Sequence, residues 1–114
     1  MTKLPDELPI KKFASSSKLR AWLEKHHASS RGIYLRIFKK PSGIPSVTFA
    51  EVLDEGLIFG WSESMRLKYD AESYLQKFTP RRVSGTHSSR NRARAVVLIK
   101  EGRMTSAGRR ALGL

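Results

Sequence analysis

Apolar and polar positions follow two distinct periods along the 114-residue chain. Leu19, Trp22, Leu23 and His26 stand at i, i+3, i+4 and i+7, one stripe of a helix. That helix starts in the Ser15-Ser16-Ser17 cluster, whose hydroxyls suit an N-cap, and stops before Gly32. The period then drops to two. Ile33, Leu35 and Ile37 share one side of a strand, Tyr34, Arg36 and Phe38 the other, until Pro41, Gly43 and Pro45 end it.

The next helix is the best specified. Thr48 and Glu51 form a capping box, Val47 and Val52 are spaced for a hydrophobic staple, and Gly60 supplies the stop. Phe49, Val52, Leu53 and Leu57 make its apolar face. Gly56 lies on the same face at a cost of about 1 kcal/mol relative to alanine, which predicts close contact with the sheet. From Trp61 alternation resumes, placing Trp61, Glu63, Met65, Leu67 and Tyr69 on one side and Ser62, Ser64, Arg66 and Lys68 on the other. Asp70-Ala71-Glu72 reads as a turn, and a partner strand from Ser73 to about Thr79, closed by Pro80, completes an antiparallel hairpin. The serines ending the 83–89 loop are placed to cap a helix that runs to about Glu101 and stops at Gly102; a short helix over 105–112 follows.

This order predicts an α+β fold: a small antiparallel sheet with a β-hairpin, packed by about four helices, in a single domain. Residues 1–12, with Pro5, Pro9, Lys11 and Lys12, read as an extended lead-in, and 13–114 as the domain.

Charge adds what periodicity does not. Lys and Arg number 22 against 10 acidic residues, a formal +12, so the surface attracts nucleic acid, anionic lipid or an acidic protein. Residues 77–110 hold ten of these cations against Glu101 alone. Cysteine is absent, which removes disulfides, thiolate metal ligands and cysteine nucleophiles and fits a reducing compartment. With no leader-like apolar run and no membrane-length apolar stretch, the expectation is a cytoplasmic protein without a membrane span.

Arg81 and Arg82 leave the hairpin just before a hydroxyl-rich loop that opens onto a helix N-terminus, where unpaired N–H groups favour an anion. Arg81, Arg82, Ser84, Thr86, His87, Ser88, Ser89 and Asn91 are therefore candidates for a phosphate or carboxylate site. The plainer alternative is that the serines only cap the helix and the arginines are solvated or paired with Glu63 or Asp70. Asn91 falls beside Ala95 and Leu98, where its amide would tie the helix to the hairpin, with Arg90 and Arg94 on the opposite side. Glu63 shares the Trp61 side, so it is a candidate buried acid, either a structural ion-pair partner or a general acid/base.

Tyr34, Arg36 and Phe38 on one strand face could stack bases, or a helix could cover them. The adjacent His26 and His27 cannot face one point from a helix and His87 is far along the chain, so no metal site is expected. No glycine-rich phosphate loop is present and no cofactor is expected.

The ordered motifs Leu57-Ile58-Phe59-Gly60-Trp61, Tyr69-Asp70 through Tyr74, Phe78-Thr79-Pro80-Arg81-Arg82, Ser88 with Asn91, Glu101-Gly102-Arg103-Met104 and Ala107-Gly108 resemble the bacterial YdeI/OmpD-associated family over roughly residues 13–113. In two places the chain departs from that pattern: Ser62-Glu63 follows Trp61 where Ile-Asp is usual, and His87-Ser88 stands where Trp-Ser is usual. The resemblance implies a phenotype, bacteriocin or envelope-stress tolerance, and no established reaction. Three function classes follow. The leading expectation is a non-enzymatic binding protein whose basic C-terminal third takes an anionic small ligand or an acidic partner. The others are a sequence-tolerant nucleic-acid binder and a small enzyme using Glu63 and His87.

Overall fold

The computed structural model describes residues 7–81 and 88–113. Its elements follow the order β1 (Ile10–Lys11), α1 (Ser16–His26), β2 (Ile33–Phe38), a 3-10 turn (Lys40–Ser42), α2 (Phe49–Phe59), β3 (Trp61–Lys68), β4 (Ser73–Pro80), α3 (Ser89–Lys100) and α4 (Ser106–Ala111). The strands form one sheet in the order β1-β2-β4-β3. β4 pairs antiparallel with both β2 and β3, as a hairpin demands, but β1 joins β2 in parallel, so the sheet is mixed rather than wholly antiparallel. The lead-in supplies that edge strand, and Pro9 O accepts from Tyr34 N at 2.8 Å.

Local signals explain the helices. Ser15, Thr48, Ser88 and Thr105 each accept a backbone N–H at an N-cap, and the Thr48/Glu51 capping box is formed in both directions. Gly60 ends α2 in the left-handed region at φ 77°, a conformation that costs a side-chain-bearing residue about 1 kcal/mol or more. The helices bury one face of the sheet: Leu19 and Leu23, Val52 and Ile58, Leu98 and Leu112 meet Ile33, Leu35, Ile37, Trp61 and Phe78 in one core. Gly56 is the close contact its position predicts, since a Cβ there would stand 2.9 Å from Trp61 O.

Simple alternation fails in β3. A bulge lies between Glu63 and Arg66: Glu63 pairs with Phe78 and Arg66 with Gln76, so β3 advances three residues against two on β4. The extra residue reverses the phase. Leu67 moves to the far side of the sheet with Leu75 and Tyr34, Met65 and Tyr69 are exposed, and Arg66 turns to the helix side between Phe49 and Tyr74, 5.0 and 4.3 Å from the ring centroids. The Gln76 side chain, itself buried, donates to Met65 O at 3.2 Å inside the bulge.

The far side of the sheet is covered by the lead-in instead of a helix. Leu8 packs on Tyr34 and Leu75. Arg36 stacks on Phe38 at 4.4 Å and on Tyr69 at 5.0 Å, while its guanidinium donates to Ser73 Oγ and Asp70. Tyr34 is fully buried and Phe38 nearly so, which removes the base-stacking surface that the Tyr34-Arg36-Phe38 alternation suggested.

Asp70 organises the hairpin turn. Its Oδ1 accepts from Ser73 Oγ at 2.7 Å, Ser73 N at 2.8 Å and Glu72 N at 3.0 Å, and its Oδ2 from Arg36 at 2.7 Å. The Ser73 hydroxyl first, then the backbone and Arg36 bonds, hold the Asp70 carboxyl below its ordinary value. A depressed folded value stabilises the fold above the unfolded-state pKa and loses that contribution as pH falls through the folded one. Asp70→Ala should therefore melt below the wild type at pH 7, and the gap in Tm should close as the pH drops under about 4. A gap that stays constant with pH would assign the loss to something other than the ionised carboxylate.

Candidate anion-binding cleft

Three helices end at one place. α1 terminates at His27, α2 at Phe59 and Gly60, and α4 at Arg110 and Ala111; the start of β3 and the end of β4 bring Trp61, Pro80 and Arg81 to the same point. Between them lies an open cleft of about 380 Å³. Hydrogen bonds fix its walls. Trp61 Nε1 donates to His27 O at 3.2 Å, Arg81 N to Gly60 O at 2.9 Å, and Thr105 N to Ile58 O at 3.2 Å. The His27 ring lies 5.3 Å from that of Phe59, and its Nδ1 is 2.8 Å from Leu23 O, which orients the ring with Nδ1–H donating and Nε2 left for other partners.

Electrostatics there reflect two opposed sources. Helix C-termini carry roughly −0.5 of an elementary charge each, on the order of −1.5 for three, which repels an anion. Arg81 and Arg110 bring two full positive charges, and no carboxylate is among the described residues lining the cleft. Two full charges outweigh partial charges on helix-end carbonyls, of which Gly60 O and Ile58 O already accept from Arg81 N and Thr105 N.

Of the sequence-derived candidates, Arg81 lines this cleft. Arg82, Ser84, Thr86 and His87 lie outside the described residues. Ser88 caps α3, its Oγ accepting from Asn91 N at 3.2 Å, and Ser89 is the exposed first residue of that helix. Asn91, expected beside the hairpin, faces α2 instead: with Arg90 and Arg94 it borders a separate groove of about 300 Å³ over Ala50, Leu53 and Leu57. Arg94 crosses that groove to Asp54 in a two-bond pair at 2.7 and 2.8 Å, so Arg90 and Arg94 do not stand opposite Asn91.

Glu63 keeps the Trp61 side but is only partly buried, because the bulge begins there and the strand leaves the core. The buried acid is Glu55, 1 % exposed, on α2. Arg20 holds it through Nε at 3.1 Å and Nη2 at 2.8 Å, and Arg103 approaches at 3.6 Å. The bond to Glu55 raises the Arg20 pKa further above its ordinary value.

His27, Arg110 and Glu55 are absent from the sequence-derived set. Gly108, noted in the sequence only as part of a motif, is what lets α4 reach the end of α2. Among the described residues no group of three or more His, Cys, Asp or Glu could hold a metal ion, and no helix is long and apolar enough to cross a membrane.

A family model described as a domain of unknown function (DUF8412) matches residues 11–111. No curated protein and no solved structure matches the chain.

Proposed function

The chain belongs to the DUF8412 family, whose description carries no activity, and from its cleft we propose that it is a non-enzymatic cytoplasmic binding protein for a small phosphate or carboxylate anion. The observation that carries this reading is that Arg81, Arg110 and His27 line one cleft of about 380 Å³ with no carboxylate among its described lining residues. Guanidinium groups match such anions in geometry and stay charged at every physiological pH. The basic C-terminal third then raises the local anion concentration around the cleft. The YdeI/OmpD-associated resemblance adds a setting to the proposal, tolerance of bacteriocin or envelope stress, in which the bound anion or an acidic partner would act as the signal.

Titration of labelled protein with inorganic phosphate should move the amide signals of His27, Gly60, Arg81 and Arg110. Arg81→Ala and Arg110→Ala should each weaken binding roughly ten-fold or more, since a hydrogen bond to a charged group contributes about 1.5–3 kcal/mol. Unchanged affinity in the double variant would remove the cleft as the anion site.

A further inference from the structure

The groove between α2 and α3 shares no lining residue with the anion cleft. We infer that it is a separate ligand site, for a monocarboxylate that carries a compact hydrocarbon body. The floor comes from α2, where Ala50, Leu53 and Leu57 recur at helical spacing along one side, and the surface open to the groove is mostly apolar.

Charge selects the head group. Two arginines and one aspartate border the groove, and Arg94 is spent on Asp54 in the two-bond pair at 2.7 and 2.8 Å. Arg90 remains, exposed and with no ion pair or side-chain hydrogen bond among the described residues. One uncompensated cation matches a monoanion, and the planar fork of a guanidinium matches a carboxylate in geometry. Asn91 brings a second donor. It is half-buried at the groove, and its side-chain amide makes no hydrogen bond among the described residues, since only its backbone N–H is taken, by Ser88 Oγ. An amide partly withdrawn from water over leucines gains from a ligand oxygen.

Volume sets the body. At about 30 Å³ per water-sized unit, the groove's 300 Å³ holds about ten non-hydrogen atoms, a carboxylate with a chain or ring of about seven carbons. Acetate would leave the leucine surface wet, a longer chain would cover it, and that dried apolar area separates the two ligands.

The test titrates octanoate, acetate and octanol into the labelled full chain at fixed ionic strength, followed by calorimetry and amide shifts. Octanoate should shift Ala50, Leu53, Leu57 and Asn91 saturably and bind at least about ten-fold more tightly than acetate. Arg90→Gln should weaken octanoate about ten-fold and leave octanol unchanged, because only the carboxylate meets the guanidinium. Ala50→Leu, at an exposed position, should fill the groove and remove these shifts without changing Tm. Arg110→Ala should leave them in place, which separates them from any carboxylate held in the cleft. Octanoate affinity that Arg90→Gln leaves intact would overturn the carboxylate assignment, and no saturable shift at the four groove residues would overturn the site itself.

Discussion

Gly108→Ala should lower stability by about 3 kcal/mol and weaken anion binding together, although alanine is normally the better helix residue by about 1 kcal/mol. A Cβ at 108 would stand 2.6 Å from Leu57 O and closer still to Ile58 O, both backbone atoms of α2 that have no rotamer through which to yield. Overpacking in place costs about 1–3 kcal/mol. If α4 lifts away instead, buried Leu112 loses its site, worth about 1.5–3 kcal/mol, along with the Thr105 bonds to Ile58 O. Both routes exceed the helix gain. At 4–8 °C per kcal/mol for a domain of this size, Tm should drop by more than about 10 °C. Arg110 rides on the same helix, so phosphate shifts at His27 and Arg81 should weaken in the variant, and amide exchange in α4 should accelerate before that of α2. A variant within about 0.5 kcal/mol of wild type with protected α4 amides would mean the two backbones are not in contact.

That contact shows where sequence reading stops. Caps, staple and helix stops are local, involving residues three or four apart, so Thr48, Glu51, Ser88 and Gly60 were legible one by one. Gly56 was legible too, because a helix that places glycine on its buried stripe gives up stability unless something lies close. The β3 bulge was not. Periodicity at two assumes one residue per pair, and nothing in Glu63-Ser64-Met65-Arg66 announces that the partner strand skips a step; the consequence is the misassignment of Leu67 and Met65. The parallel β1 pairing was hidden for a related reason, since two residues of edge strand carry no period at all.

The cleft was half legible. A density of arginine after the hairpin pointed to Arg81, because charge is additive and visible in any order. His27 and Arg110 became partners only through the meeting of three helix ends, a property of the packed chain with no signature at either residue. Glu55 eluded the reading for a different reason: on the wheel of α2 it sits at the edge of the apolar stripe, and a glutamate there looks solvated until Arg20 from α1 and Arg103 from the α3–α4 link are seen to close over it.

Arg20→Met should for that reason be more damaging than Glu55→Gln, the reverse of what counting charges on a basic protein would suggest. The Arg20 side chain is 40 % exposed and that of Arg103 34 %, so either cation can return to water when the acid is lost, whereas Glu55 at 1 % exposure cannot follow. Removing Arg20 leaves a buried carboxylate with Arg103 at 3.6 Å alone, a situation that costs about 3 kcal/mol. Glu55→Gln preserves volume and gives up a pair that is open to solvent on one side, a cost of about 1 kcal/mol. The double variant should then lose less than the two single losses added together, because glutamine no longer carries the charge that Arg20 had to neutralise. Urea unfolding of the three variants measures this order directly. Equal losses for the two single variants, or strict additivity in the double, would show that Glu55 is neutralised mainly by Arg103 and that Arg20 merely lies over it.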